Sequence, residues 1–135
     1  MSQNYLLDTN ACIRLLNQAS SRLAERFRAT SPARLRLCSI VKFELLYGAR
    51  KSRRPMETQQ KLRRFFSPLK SLPFDDSCAD YAGTLRAEIE GAGTPIGPND
   101  LLIAATALAY DVILITHNTR EFARVPGLRL EDWES

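Results

Sequence analysis

Residues 98–116 read PNDLLIAATALAYDVILIT, and this stretch decides the class of fold. Pro98 suits the first position of a helix, and the run Leu101–Tyr110 is apolar on nearly every side, which predicts a deeply buried helix. The run Val112–Thr116 is rich in β-branched residues and predicts a buried strand. A buried helix that leads directly into a buried strand is typical of an α/β protein.

The same alternation of strands and helices extends towards both ends of the chain. Further strands are predicted at Asn4–Leu7, Arg36–Cys38, Ser71–Phe74 and Leu128–Leu130. Helices are predicted after Asp8 with Thr9 or Asn10 as N-cap, over Ser20–Ala29, from an N-cap at Ser39 through Tyr47, over Met56–Phe66 and Asp76–Glu90, and as a turn at Arg120–Ala123. This order argues for a parallel sheet covered on both faces. Because the sequence shows no repeat and no boundary, we expect one domain over residues 1–135.

The composition excludes several classes of protein. Hydrophobic residues make up 44% of the 135 residues, which is enough for one core, and no run reaches the roughly 18 apolar residues that span a bilayer. The opening Met1–Asn4 lacks the basic residues of a secretory signal, and Asp8 interrupts the apolar run after it. Cys12, Cys38 and Cys78 fit neither a zinc spacing nor a disulfide framework. We therefore expect a cytoplasmic protein with no membrane segment and with buried, reduced cysteines.

The positive charge of the chain is modest but clustered. There are 19 Lys and Arg residues against 15 Asp and Glu residues, a net charge of +4. The clusters are Arg50, Lys51, Arg53 and Arg54; Lys61, Arg63 and Arg64; and, more loosely, Arg22, Arg26 and Arg28. Such clusters attract nucleic acid, although on charge alone a solvated basic face is the simpler interpretation.

Three carboxylates are poorly explained by local structure. Asp8 ends a predicted strand, where ligands bind in open α/β sheets, and helix capping is the alternative. Glu44 has three apolar residues and a glycine as helical neighbours, so a buried carboxylate there needs a metal or a distant arginine; a water-facing side chain is the alternative. Asp100 suits the dipole of its helix, but it introduces the most apolar helix of the chain.

If these three acids converge, they need a cation. Two unit charges about 4 Å apart repel by about 4 kcal/mol at an effective dielectric constant of 20, and three such pairs by roughly 12 kcal/mol. That sum is comparable to the stability of a whole domain. All-oxygen ligands suit Mg²⁺ or Mn²⁺, and the corresponding chemistry is phosphodiester hydrolysis.

Several segments, taken together, resemble a known family. They are LLDTN at residues 6–10, FELLYG at 43–48, IGPNDLLIAA at 96–105, ITHNTREF at 115–122 and VPGLRLEDW at 125–133. In this order along nearly the whole chain, they are similar to the motifs of PIN-domain ribonucleases, in particular the VapC toxins of type II toxin–antitoxin systems.

The resemblance implies a fold, an activity and a site. The fold is a three-layer α/β/α PIN-like nuclease domain with a short, mainly parallel central sheet. The activity is that of a magnesium-dependent endoribonuclease, with Mn²⁺ as a substitute. Asp8 and Asp100 are expected to be the principal metal ligands, with Glu44 completing the shell or acting as general base. A fourth acid is expected near the penultimate strand, where this chain has Asn118 and Glu121, and Thr116 is expected to orient a ligand or a water.

The resemblance also implies partners. Family members pair with a small VapB-type antitoxin whose C-terminal segment covers the site, and they are commonly homodimers. Relatives with similar closing motifs cut transfer RNA in the anticodon stem-loop, so we expect RNA, and specifically transfer RNA, as the substrate. The basic clusters fit contacts to an RNA backbone and equally fit an acidic antitoxin tail.

Two other functions remain open from the sequence. A metal-dependent phosphatase or phosphoryl-transfer protein also places an Asp after its first strand, but one such family requires a second Asp at position 10, which is Asn10. A catalytically silent PIN domain would bind only RNA or protein, and the intact acidic trio argues against it. His117 is the only histidine, and we expect it to be structural because histidine-based ribonuclease chemistry uses an acid and a base.

Overall fold

The computed structural model describes residues 3–135 and contains five strands and seven α-helices in these residues. The strands are β1 (Tyr5–Leu7), β2 (Leu35–Cys38), β3 (Lys70–Leu72), β4 (Ile113–Ile115) and β5 (Leu130–Glu131). The helices are α1 (Thr9–Leu16), α2 (Ser21–Ala29), α3 (Ser39–Arg50), α4 (Pro55–Phe66), α5 (Asp76–Gly91), α6 (Pro98–Ala109) and α7 (Thr119–Phe122). Met1 and Ser2, on which part of the expectation about a signal segment rested, lie outside the described residues.

The sheet has the order β3-β2-β1-β4-β5, and all four strand pairs are parallel. The chain builds outward from β1 to β3 on one side and then returns to place β4 on the other side of β1. The order therefore reverses between β1 and β4, where Leu7 is in register with Ile115. In open α/β sheets, ligands bind beyond the carboxyl ends of the strands at such a reversal.

Both faces of the sheet are covered. Leu6 and Leu7 in β1 are fully buried although neighbouring side chains of a strand point to opposite faces, and all three residues of β4 are buried. Helix α6 is also buried on most sides, from Leu101 to Ala107, apart from a partly exposed Leu102. These observations confirm the predicted α/β/α layering and the parallel sheet. No helix in residues 3–135 is both long and apolar enough to cross a membrane.

The structure shifts the ends of several predicted elements. Helix α1 is capped by Asp8 and not by Thr9 or Asn10, since the Asp8 side chain accepts a hydrogen bond from the Ala11 amide. Helix α3 is capped at Cys38 and continues past Gly48 to Arg50, because a glycine weakens a helix without ending it.

The C-terminal segment packs closely through Trp133. The Trp133 side chain is 2% exposed, and its ring meets Tyr5 edge-on at 5.2 Å between ring centroids. The guanidinium of Arg26 lies 5.1 Å from the centroid of the same ring. The last strand begins two residues later than predicted, at Leu130, where it pairs with Leu114 of β4.

Candidate functional site

Asp8 and Thr116 follow the carboxyl ends of the two strands between which the sheet order reverses. Both side chains are buried, with Asp8 4% and Thr116 1% exposed. The Asp8 carboxylate accepts a hydrogen bond from the Ala11 amide at 2.7 Å. Burial raises the pKa of Asp8; its hydrogen bonds with the Thr116 side chain and the Ala11 amide oppose this, and the charge of Glu44 adds to it. The Asp8 side chain therefore both caps α1 and belongs to the site.

Glu44 lies in the second turn of α3 and is half-buried. The Thr9 hydroxyl donates a hydrogen bond to its Oε1 at 2.5 Å, and the Asn99 side-chain amide donates to its Oε2 at 3.3 Å. The sequence predicted compensation by a metal or a distant arginine. Within the described residues, the hydrogen-bond donors to Glu44 are both neutral, so they orient the carboxylate and leave its negative charge in place.

Asp100 lies in the first turn of α6, at its partly buried beginning. Its pKa is raised to about 6, first by burial and then by the negative charges of Glu121, Asp8 and Glu44. The other three acids are thus all close enough for their charges to act on Asp100. This convergence, which sequence spacing alone does not establish, comes from the fold.

Asp8, Glu44 and Asp100 share one small pocket of about 210 Å³. Its lining residues are Asp8, Thr9, Asn10, Glu44, Asp100, Asn118 and Phe122. We call this the acidic pocket; no Lys, Arg or His is among its lining residues. A set of carboxylate, amide and hydroxyl oxygens suits a hard divalent cation such as Mg²⁺ or Mn²⁺.

The acids are not drawn together as tightly as the ligands of a bound ion. No three His, Cys, Asp or Glu side chains within residues 3–135 are grouped closely enough to hold a metal as they stand. Hydrogen bonds to Ala11, Thr9 and Asn99 direct the oxygens of Asp8 and Glu44 to other partners. The donor set fits a divalent cation in its chemistry, and ion binding would require these side chains to reorient.

Glu121 and Asn118, the two candidates for the fourth acidic position, contact each other. The Asn118 amide donates to Glu121 Oε2 at 2.9 Å, and the Gly97 backbone amide donates to Glu121 Oε1 at 2.9 Å. These two donors, together with Arg124, lower the pKa of Glu121. Asn118 lines the acidic pocket, while Glu121 lies behind it, next to Asp100. The Thr116 hydroxyl accepts a hydrogen bond from the backbone amide of Asn118 at 3.0 Å, which holds this turn in place.

His117 points away from this group of residues. Its Nδ1 lies 3.0 Å from the Asp132 carboxylate, and the histidine side chain is exposed. It does not line the acidic pocket.

Sequence reasoning named Thr116 and Asn118 but missed four other neutral residues around the acids, which are Thr9, Asn10, Asn99 and Phe122. Thr9 and Asn10 follow Asp8 directly, and Asn99 precedes Asp100, so all three are sequence neighbours of predicted acids. Phe122 closes the pocket from α7. Asking which polar residues flank each acid would have found the first three, whereas Phe122 carries no signal of its own.

Comparisons with known proteins agree on one family. The model of the PIN domain matches residues 5–128. The chain is 40% identical over 129 residues to the tRNA(fMet)-specific endonuclease VapC of Salmonella typhimurium, covering 96% of this chain and 97% of that protein. It is 40% identical over 131 residues to ribonuclease VapC2 of Rickettsia felis, covering 96% and 98%. A solved DNA-bound VapBC complex from Salmonella typhimurium matches with a TM-score of 0.92 and 39% identity, covering 98% of this chain and 99% of that chain.

Proposed function

The chain belongs to the PIN-domain family and, within it, to the VapC ribonucleases, and on this premise we propose that it is a magnesium-dependent endoribonuclease that acts as the toxin of a toxin–antitoxin pair. One observation carries the proposal: Asp8, Glu44 and Asp100 line a single pocket that has no cationic side chain in its wall. The site therefore has the charge to attract a divalent cation, and the cation would attract a phosphate.

The acids of the pocket take different roles. Asp8 and Asp100 would hold Mg²⁺ or Mn²⁺, and Glu44 would complete the ligand set or accept a proton from the attacking water. The ion supplies activation of a water and neutralisation of the charge that develops on the phosphate. Hydrogen bonds from Thr9 and Asn99 fix the Glu44 carboxylate in the wall of the pocket. Glu121 adds negative charge beside Asp100 and is the candidate for a fourth acid.

The proposed substrate is RNA, and more narrowly transfer RNA cut in its anticodon stem-loop. Support comes from the Salmonella typhimurium relative, which is named a tRNA(fMet)-specific endonuclease and matches this chain over nearly its whole length. The cluster Arg50, Lys51, Arg53 and Arg54 lies at the end of α3, the helix that carries Glu44. Such a cluster provides contacts to phosphates that do not depend on sequence.

The proposed partner is a VapB-type antitoxin. Several structures similar to this chain are VapBC complexes, including those from Salmonella typhimurium and Rickettsia felis. We further propose that the chain forms a homodimer and acts in the cytoplasm, where transfer RNA is present.

The experiment that tests this function is cleavage of total transfer RNA by the purified protein with and without Mg²⁺. The Asp8→Asn variant is expected to lose cleavage while it keeps its fold, and Asp76→Asn, an exposed acid in the first turn of α5, is the matched control. Normal cleavage by a folded Asp8→Asn variant would refute the assignment. Hydrolysis of a small phosphate ester with the RNA left intact would favour the phosphatase instead, and failure to bind Mg²⁺ or Mn²⁺ would favour a silent PIN domain.

A further inference from the structure

Two exposed aromatic side chains flank Glu44 on α3. Phe43 is 56% exposed and Tyr47 is 58% exposed, although large aromatic side chains are usually buried. They are four residues apart in one helix, so they lie on the same face about one turn from each other. Neither ring has an aromatic partner among the described residues. The helix therefore presents two exposed aromatic rings beside a carboxylate of the site.

The two rings line a pocket of about 390 Å³ that adjoins the acidic pocket. We call it the aromatic pocket; its lining residues are Thr9, Asn10, Ile13, Phe43, Glu44, Tyr47 and Asn99. Thr9, Asn10 and Glu44 line both pockets. A molecule whose phosphate lies in the acidic pocket would therefore place the group attached to that phosphate against Phe43 and Tyr47.

The chemistry of the aromatic pocket matches a nucleobase. Aromatic rings offer flat faces on which any base can stack, and this stacking does not require a particular base. The side-chain amides of Asn10 and Asn99 each carry both a donor and an acceptor, as the edge of a base does. A pocket that binds an apolar peptide segment would not need polar side chains such as Asn10 and Asn99 in its wall.

The charge beyond the rings also favours a nucleic acid. The Lys51 ammonium lies 5.2 Å from the centroid of the Tyr47 ring and donates a hydrogen bond to its hydroxyl at 3.2 Å. Arg54 forms an ion pair with Glu57. Within the described residues, the other basic residues of this cluster, Arg50, Lys51 and Arg53, form no ion pair with a carboxylate. With a rise of about 1.5 Å per residue, Lys51 lies roughly 10 Å along α3 from Glu44. Along α3, the carboxylate of Glu44 and the rings of Phe43 and Tyr47 are thus followed by the basic cluster at residues 50–54.

We propose that Phe43 and Tyr47 form a stacking subsite for an unpaired base next to the phosphodiester that is cut. The inference rests on the proposed ribonuclease function and deepens it. The RNA strand leaves the acidic pocket along α3 towards the basic cluster at residues 50–54. Because a base must leave its helical stack to lie between or against these rings, the subsite selects loops and single strands over paired regions.

The test measures binding in a chain that does not cut. In an Asp8→Asn background, Phe43→Leu and Tyr47→Leu are titrated with an RNA stem-loop that carries 2-aminopurine in its loop, whose fluorescence is quenched on stacking. We expect each substitution to weaken binding by about tenfold and to reduce the quenching, while Phe43→Trp retains both. Tyr81→Leu, at an exposed tyrosine on α5, is the matched control. Thermal unfolding of each variant verifies the fold.

The outcomes separate this inference from the function on which it rests. Equal binding by the parent and both Leu variants, or equal binding of the loop and of a fully paired duplex, would overturn the stacking subsite. If instead the Leu variants lose capture of a co-expressed antitoxin but bind RNA normally, the face is a protein-docking surface and the inference is wrong. RNA cleavage by the otherwise unsubstituted chain is measured in parallel, so a failure of the ribonuclease function is seen independently.

Discussion

The Thr9 hydroxyl donates a hydrogen bond to Glu44 Oε1 at 2.5 Å and so joins two residues that are 35 positions apart. Thr9 begins α1 directly after β1, and Glu44 lies in the second turn of α3. Because the bond is made to a carboxylate, it is stronger than a bond between neutral groups. The bond therefore fixes Glu44 relative to β1, the strand that positions Asp8.

Removing this hydrogen bond should impair cleavage while the fold persists. Thr9→Val keeps the shape of the side chain and deletes the donor, and a hydrogen bond to a charged group contributes roughly 1.5–3 kcal/mol. We expect kcat for RNA cleavage to fall about tenfold or more. Thr84→Val, at an exposed position of α5, serves as the control. An unchanged kcat in folded Thr9→Val would mean that Glu44 needs no such positioning.

The stability of the protein without metal should depend on pH through Asp100. Its pKa rises from the usual 3.8 to about 6 on folding, so between these values the unfolded chain has lost a proton that the folded chain retains. The free energy of unfolding therefore falls as the pH rises from about 4 to about 6 and stays lower above that range. Since Asp100 is only partly buried, we expect Asp100→Asn to be more stable than the parent by about 1 kcal/mol at pH 7 and by almost nothing at pH 4. Urea unfolding at both pH values measures this, and an equal difference at both would contradict it.

Divalent cations should stabilise the folded chain. An ion that binds only the native state raises its stability by about 2.7 kcal/mol at a hundredfold excess over Kd, which corresponds to a Tm increase of roughly 5–10 °C for a chain of this size. We expect this increase with Mg²⁺ or Mn²⁺ at pH 7 and its loss in Asp8→Asn and in Asp100→Asn. Differential scanning calorimetry provides the measurement, and Asp76→Asn should respond like the parent. An increase that survives both substitutions would place the ion elsewhere.

The charge of Glu121 should act on Asp100. After burial, the charge of Glu121 is the largest cause of the raised Asp100 pKa. Glu121→Gln keeps an oxygen that can accept from the Gly97 amide and removes the charge, so the pKa of Asp100 should move down towards its ordinary value. Carboxyl-carbon NMR follows this titration directly, with Glu88→Gln on the exposed side of α5 as the control. If the Asp100 titration does not move, Glu121 does not belong to the electrostatics of the site.

Much of this protein follows from the sequence alone. The apolar runs at residues 101–110 and 112–116 gave the buried helix and central strand because burial on all sides leaves no periodic polar face. Asp8, Glu44 and Asp100 stood out because each carboxylate lies in an apolar context that local structure explains incompletely. Helix ends were less predictable, since Asp8 and not Thr9 or Asn10 caps α1, and α3 continues through Gly48.

Only the tertiary structure decided that the acids share one pocket and which neutral groups surround them. Strand order places the ends of β1 and β4 side by side, and that order depends on contacts between residues more than 100 positions apart. The bond from Thr9 to Glu44 and the raised pKa of Asp100 arise from the same packing. Local sequence encodes which residues are buried and in which kind of element, but the distance between two side chains depends on how those elements pack, and this packing brings the acids and the exposed rings of Phe43 and Tyr47 together.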